Sequence, residues 1–197
     1  MKIVGGVKVA LAQLGPQPNK RSSMSMLLDT SEVPGSGWRV SIQQNLRAHA
    51  FKEKNLVTRG AKTNQSTTSR KLFESDRSSK SLLVEVTPLA TEADAESWSS
   101  SSSDRTRMSL SNVANLQSLH LVEGLALPGA ERASCFEYTI NSSKGVRTSL
   151  AIAANYRAIY LQVTGSSLDE SWTWGEVIDA ASAQVRKISR LLEETAT

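Results

Sequence analysis

From Trp174 onward the apolar residues Trp174, Val177, Ile178, Ala181, Val185, Ile188, Leu191 and Leu192 recur at helical spacing. That stripe predicts an amphipathic helix of about five turns lying across a sheet. Its start is encoded too: Thr173 and Glu176 form a T-x-x-E capping box, flanked by Trp172 and Val177 at the positions of a hydrophobic staple. Arg186, Lys187 and Arg190 stand on its polar side toward the C-terminal end, where the helix dipole favours positive charge.

Upstream the period changes from helical to two. "WRVSIQQ" alternates Trp38, Val40 and Ile42 with polar residues, so these three are expected on the buried side of a strand. "RKLFES" and "SLLVEVTPL" flank the polar "DRSSK" and predict a hairpin, with Leu83 and Glu85 facing one way and Leu82, Val84 and Val86 the other. "LQSLHLVEG" is a further strand. "ASCFEYTI", "VRTSLAIAA" and "YRAIYLQVTG" follow as an antiparallel meander. Between these groups Thr91 caps a short helix whose first turn carries Glu92 and Asp94, and its serine run is expected to fray it near Ser100–Ser103. A short helical turn is expected in "MLLDTSEVP", stopped by Pro34 and Gly35. The sum is an α+β fold: a twisted antiparallel sheet of about six to seven strands, with a short middle helix and a long C-terminal helix packed on one face. Residues 1–25, with scattered glycine and proline, read as an extension arm, and 26–197 as a single domain.

Composition adds one asymmetry. The chain carries a net charge of +4, but the stretch from Arg47 to Lys80 holds nine basic side chains against Glu53, Glu74 and Asp76. Much of it, from 44 to 69, reads as a long polar loop. Lys52, Lys54, Arg59, Lys62, Arg70 and Lys71 are its candidates for contacting a nucleic acid or another anionic surface, with Phe51 and Phe73 placed to stack bases. The alternative reading of the same charges is a solvated loop. No apolar run is long enough for a membrane span. As written the start lacks a convincing export signal, which suggests the cytoplasm; a start at Met24 or Met26 would leave an extracytoplasmic place open.

Catalytic signatures are missing. There is no phosphate-cradling GxxxxGK[ST], no GxGxxG, no HExxH and no GxSxG. Cys135, the only cysteine, sits in an apolar strand and reads as a structural thiol; a dyad with His120 would need it exposed. One cysteine and two separated histidines do not make a zinc site. No catalytic residue, metal or cofactor is expected.

"LLDTSEVPGSGWRV" and "VEGLALPGAERASCFEYTINSSKGVRTSLAIAANYRAIYLQVTG", followed by the tryptophan-led helix, resemble a group of actinobacterial sensor-like domains. That group includes the extracytoplasmic sensor domain of a Ser/Thr kinase and small lipoproteins, and the element order is similar to the PsbP-like fold. The resemblance spans roughly residues 26–194 and rests on turn and strand patterns. It implies a non-enzymatic domain that binds a small molecule or a protein in a cleft between sheet and helices. Those domains commonly carry disulfides, and this chain, with one cysteine, departs from them there. Trp38, Tyr138, Tyr156 and Trp172 are the aromatic residues expected to line the cleft, with core packing the competing role for Trp38.

Overall fold

The computed structural model describes residues 23–47, 67–111, 115–169 and 171–194. Seven strands form one antiparallel sheet: β1 (Trp38–Arg47), β2 (Thr67–Ser75), β3 (Ser81–Pro88), β4 (Asn115–Val122), β5 (Arg132–Ser142), β6 (Gly145–Tyr156) and β7 (Ile159–Ser167). Their spatial order is β1-β2-β3-β7-β6-β5-β4. The meander β5–β6–β7 therefore folds back beside β3, and β1 and β4 form the two edges. Three helices complete the fold: α1 (Glu92–Ser100), α2 (Ser102–Ser111) and α3 (Trp174–Glu193). The expected α+β class is what the chain adopts.

The capping logic holds at atomic detail. Thr173 Oγ1 accepts from the Glu176 N–H and the Glu176 carboxylate accepts from the Thr173 N–H, so both halves of the box close. Thr91 likewise accepts from the Asp94 N–H to start α1. The serine run breaks the middle helix in two: the hydroxyls of Ser100, Ser101 and Ser102 bond back to carbonyls one turn earlier, and Ser101 separates α1 from α2.

The helices do not share a face as expected. Along β6, Leu150, Ile152 and Ala154 join the core beneath α3, with Leu82, Val84 and Val86 of β3 and Leu161 and Val163 of β7. Ala151 and Ala153 point the other way, into a second cluster with Phe136 and Tyr160 that Trp98 of α1 covers. Ser99 of α1 donates to the Ala153 carbonyl. Strand alternation thus supplies two apolar faces, and each helix group takes one.

Two local expectations are corrected. The helical turn is a 3-10 turn at Ser23–Met26, a few residues earlier than the sequence suggested, and the chain then runs as a strap beneath α3 with Leu27 and Leu28 fully buried. The expected arm otherwise falls on residues outside those described. Val40 and Ile42 are not buried with Trp38; they are 40% and 39% exposed. A bulge between them shifts the register, so Val40 opposes Phe73 while Ile42 opposes Leu72 on the opposite face. The strands also extend into the expected loop, β1 to Arg47 and β2 from Thr67, and 48–66 lie outside the described residues.

Candidate functional site

Trp38 and Trp172 are far apart in sequence, and the fold brings them together. Trp38 opens β1, directly after Gly35 and Gly37, both of which have positive φ and reverse the chain. Trp172 precedes the cap of α3. Their rings stack with centroids 5.8 Å apart and planes inclined by 22°. Each indole N–H is satisfied by a backbone carbonyl, Trp38 by Pro34 and Trp172 by Ser166, which locks both side chains in place.

The pair forms one wall of a cleft of about 230 Å³ between the 33–38 turn and the start of α3. Val33, Pro34, Leu82 and Ala180 supply apolar lining, and Glu176 and Asp179 place carboxylates at its rim. Trp172 approaches the sheet so closely because position 165 has no side chain: a Cβ there would fall 2.5 Å from the indole. Lys80, from the β2–β3 turn, sits 5.2 Å from the Trp172 ring centre and bonds Glu176 at 2.8 Å. Burial pushes the Glu176 carboxyl up, but the bonds from Lys80 and Thr173 outweigh it and hold the group below its ordinary value. The Asp179 carboxylate is exposed and makes no hydrogen bond or ion pair with a described residue.

The other two expected aromatic residues lie elsewhere. Tyr138 stacks on Phe136 on the opposite sheet face, where burial raises its hydroxyl pKa against a bond to Ser149. Tyr156 is beyond the far end of the cleft, its hydroxyl paired with Ser189 near the end of α3. The cleft is therefore built on Trp38 and Trp172 alone among the four.

The basic candidates do not assemble into one surface among the described residues. Lys71 is buried and donates to the Leu28 carbonyl and to Asp29, fastening the strap rather than facing an anion. Arg70, its neighbour on β2, points to the opposite face and donates to Gln44. Lys52, Lys54, Arg59 and Lys62 lie outside the described residues.

Cys135 faces the core, opposite Val122, and burial raises its thiol pKa; exposed His120 opposes Glu137. A core thiol held protonated is a poor nucleophile. Among the described residues no group of three or more His, Cys, Asp and Glu gathers as a metal site, and no helix is long and apolar enough to cross a membrane.

One solved structure matches the architecture: the extracellular domain of PknH from Mycobacterium tuberculosis. The chain shares that domain's fold. The alignment covers 85% of this chain and 93% of that one, with a TM-score of 0.51 and 12% sequence identity, so the likeness extends to architecture and no further. No family model and no curated protein sequence matches the chain.

Sequence reasoning missed two clusters of charged side chains. One is the strap network, in which Lys187 bonds both Asp29 and Glu32, and Arg190 bonds Glu32. The other is a row on the opposite face, where Arg70, Glu85 and Gln162 stand side by side on β2, β3 and β7. The strap partners and Gln162 come from elements remote in sequence, and the Arg70–Glu85 pairing needs the exact register of its hairpin, so no local motif marks either cluster.

Proposed function

We propose that the chain is a sensor-like, non-catalytic binding module whose ligand is a small, flat, largely apolar molecule seated against Trp38 and Trp172. The observation that carries this reading is the Trp38–Trp172 stack, with both N–H groups tied to backbone and one apolar cleft beside it. Polarity tied off inward leaves ring surface and ring edges to meet a ligand. Two carboxylates at the rim favour a ligand carrying a donor or a positive group at one end. At about 230 Å³ the cleft falls below the roughly 300–1,000 Å³ of a drug-sized pocket. That favours a compact metabolite over a dinucleotide or other large cofactor.

The fold shared with the extracellular domain of PknH is in keeping with this reading. Native mass spectrometry of the purified chain tests the reading by showing whether a small molecule is retained. A fluorescence-monitored titration of the retained compound, or of a library of small aromatic fragments, then locates it. Binding should be lost in Trp38→Ala and Trp172→Leu. Retained affinity in both variants would remove the cleft as the site.

A further inference from the structure

The second sheet face holds a charged constellation unrelated to the tryptophan cleft. α1 packs on β5, β6 and β7, and α2 on β4 and β5, so neither packs extensively on this face of β2 and β3, where Arg70, Leu72, Leu83 and Glu85 stay partly exposed. There the register sets Arg70 opposite Glu85, and Glu85 opposite Gln162. Adjacent strands are about 4.8 Å apart, so the three side chains emerge as immediate neighbours.

Each neighbour of Glu85 is already engaged elsewhere. Arg70 donates to Gln44 at 2.7 Å. Gln162 accepts from the Tyr160 hydroxyl at 2.6 Å and donates to Thr164 at 3.3 Å. Arg105, from α2, is held over two rings, 4.7 Å from the Trp98 centre and 5.2 Å from the Tyr160 centre. The Glu85 carboxylate, only partly open to solvent, makes no hydrogen bond or ion pair with any described residue.

A partly buried carboxylate without a partner is unfavourable for the fold, and burial raises its pKa although Arg70 and Arg105 pull it down. Folding alone does not call for a glutamate here; an amide would fill the same space without the charge. The surrounding charges constrain what it can meet. A free cation would be repelled by the two guanidinium groups, and a simple anion by Glu85. A molecule bearing both signs a few ångströms apart satisfies all three.

We propose that this face binds a small zwitterion of the amino-acid type, its ammonium on Glu85 and its carboxylate on Arg70 and Arg105. Gln162, whose amide is fixed by Tyr160 and Thr164, lies beside Glu85 to orient the ligand. Leu72 and Leu83, the next pair along on the same face, provide an apolar floor for a small side chain.

The test is a titration of the isotope-labelled chain followed by amide chemical shifts. The probes are L-alanine, glycylglycine and 4-aminobutyrate as zwitterions, propionate as the carboxylate alone and propylamine as the ammonium alone. At least one zwitterion should shift the amides of Arg70, Glu85 and Gln162 saturably, and both half-ligands should bind at least tenfold more weakly. Glu85→Gln should lose the zwitterion by a similar factor while melting at a higher temperature than the wild type, the signature of a residue retained for binding. Arg105→Met should weaken the zwitterion without that gain in melting temperature. The proposal is overturned if no zwitterion saturates these shifts at tens of millimolar. It is overturned equally if propionate binds as well as the zwitterions and Glu85→Gln leaves binding unchanged.

Discussion

Trp172 lies flat against Gly165, so near that a β-carbon at residue 165 would stand 2.5 Å from the indole. The contact also sets where Trp38 can stack. Gly165→Ala should lift Trp172 from the sheet, break the stack and destabilise the fold by about 1–3 kcal/mol, the usual range for overpacking. Near-ultraviolet circular dichroism would report the lost coupling between the two indoles, and a denaturant melt the stability. An unchanged near-ultraviolet spectrum would show that the tryptophan pair does not depend on the missing side chain.

The strap under α3 is fastened by two buried lysines that reach carboxylates at its outer edge. Lys71 and Lys187 are buried, and Asp29 bonds both, at 2.9 and 3.0 Å. Gln184 clasps the same segment, accepting from the Leu28 N–H and donating to the Met26 carbonyl. Asp29→Asn removes the charge shared by two buried ammonium groups. Because the Asp29 carboxylate itself is 64% exposed and Lys187 keeps Glu32, a loss of about 1–2 kcal/mol is expected, between the exposed and buried limits. The exposed pair Arg39–Glu74 is the control: Glu74→Gln should cost less than about 1 kcal/mol. Equal losses in the two variants would mean that Gln184 and the burial of Leu27 and Leu28, rather than the charges, hold the strap.

Acid should loosen the strap first. Hydrogen bonds from Lys71 and then Lys187 hold Asp29 below its ordinary value of 3.8. For Glu32, burial pushes upward, but bonds from Lys187, the Asp29 N–H and Arg190 hold it below 4.5. Folded values below unfolded ones give stability that is complete above the unfolded values and lost as pH falls through the folded ones. Glu85 has the opposite sign. Its folded value lies above 4.5, so its contribution falls as pH rises from there through the raised value, and stays low beyond it. Melts across pH should therefore show an acid limb that Asp29→Asn flattens and a decline on the alkaline side that Glu85→Gln removes.

Local signals carried most of the fold. The T-x-x-E box, the hairpin turn at 76–80 and the β5–β6–β7 meander each depend on residues a few positions apart, and each is readable for that reason. Which helix covers which face is not local. The period of two in β6 declares two apolar faces but assigns neither to α1 nor to α3. Ile42 departs from the pattern because one bulge residue turns a strand over without altering its composition, whereas Val40 keeps the face of Trp38 and is exposed because β1 is an edge strand. Lys71 and Lys187 look like ordinary surface cations until Asp29 is seen between them. Trp172 and Trp38 stand out in the sequence as aromatic residues at turns, yet their pairing rests on Gly165 of β7, whose role as a seat for an indole nothing in its strand pattern marks.

The β6–β7 hairpin offers a gain rather than a loss. Tyr156 pairs with Ile159 across the two-residue loop Arg157–Ala158, and Arg157 occupies the left-handed region at φ 50°. Positive φ at the first loop position alone suits a type II′ turn, where glycine is favoured. An L-residue with a side chain costs about 1–2 kcal/mol in that region. The Arg157 N–H donates to Glu131, a backbone bond that substitution keeps. Its guanidinium lies 5.7 Å from the Tyr156 ring centre, worth about 0.5–1 kcal/mol at an exposed site. Arg157→Gly should therefore stabilise the chain by up to about 1 kcal/mol, and Arg157→Val, β-branched and intolerant of positive φ, should destabilise it. If urea midpoints placed the valine variant at or above the glycine variant, the loop would not hold the strained backbone described.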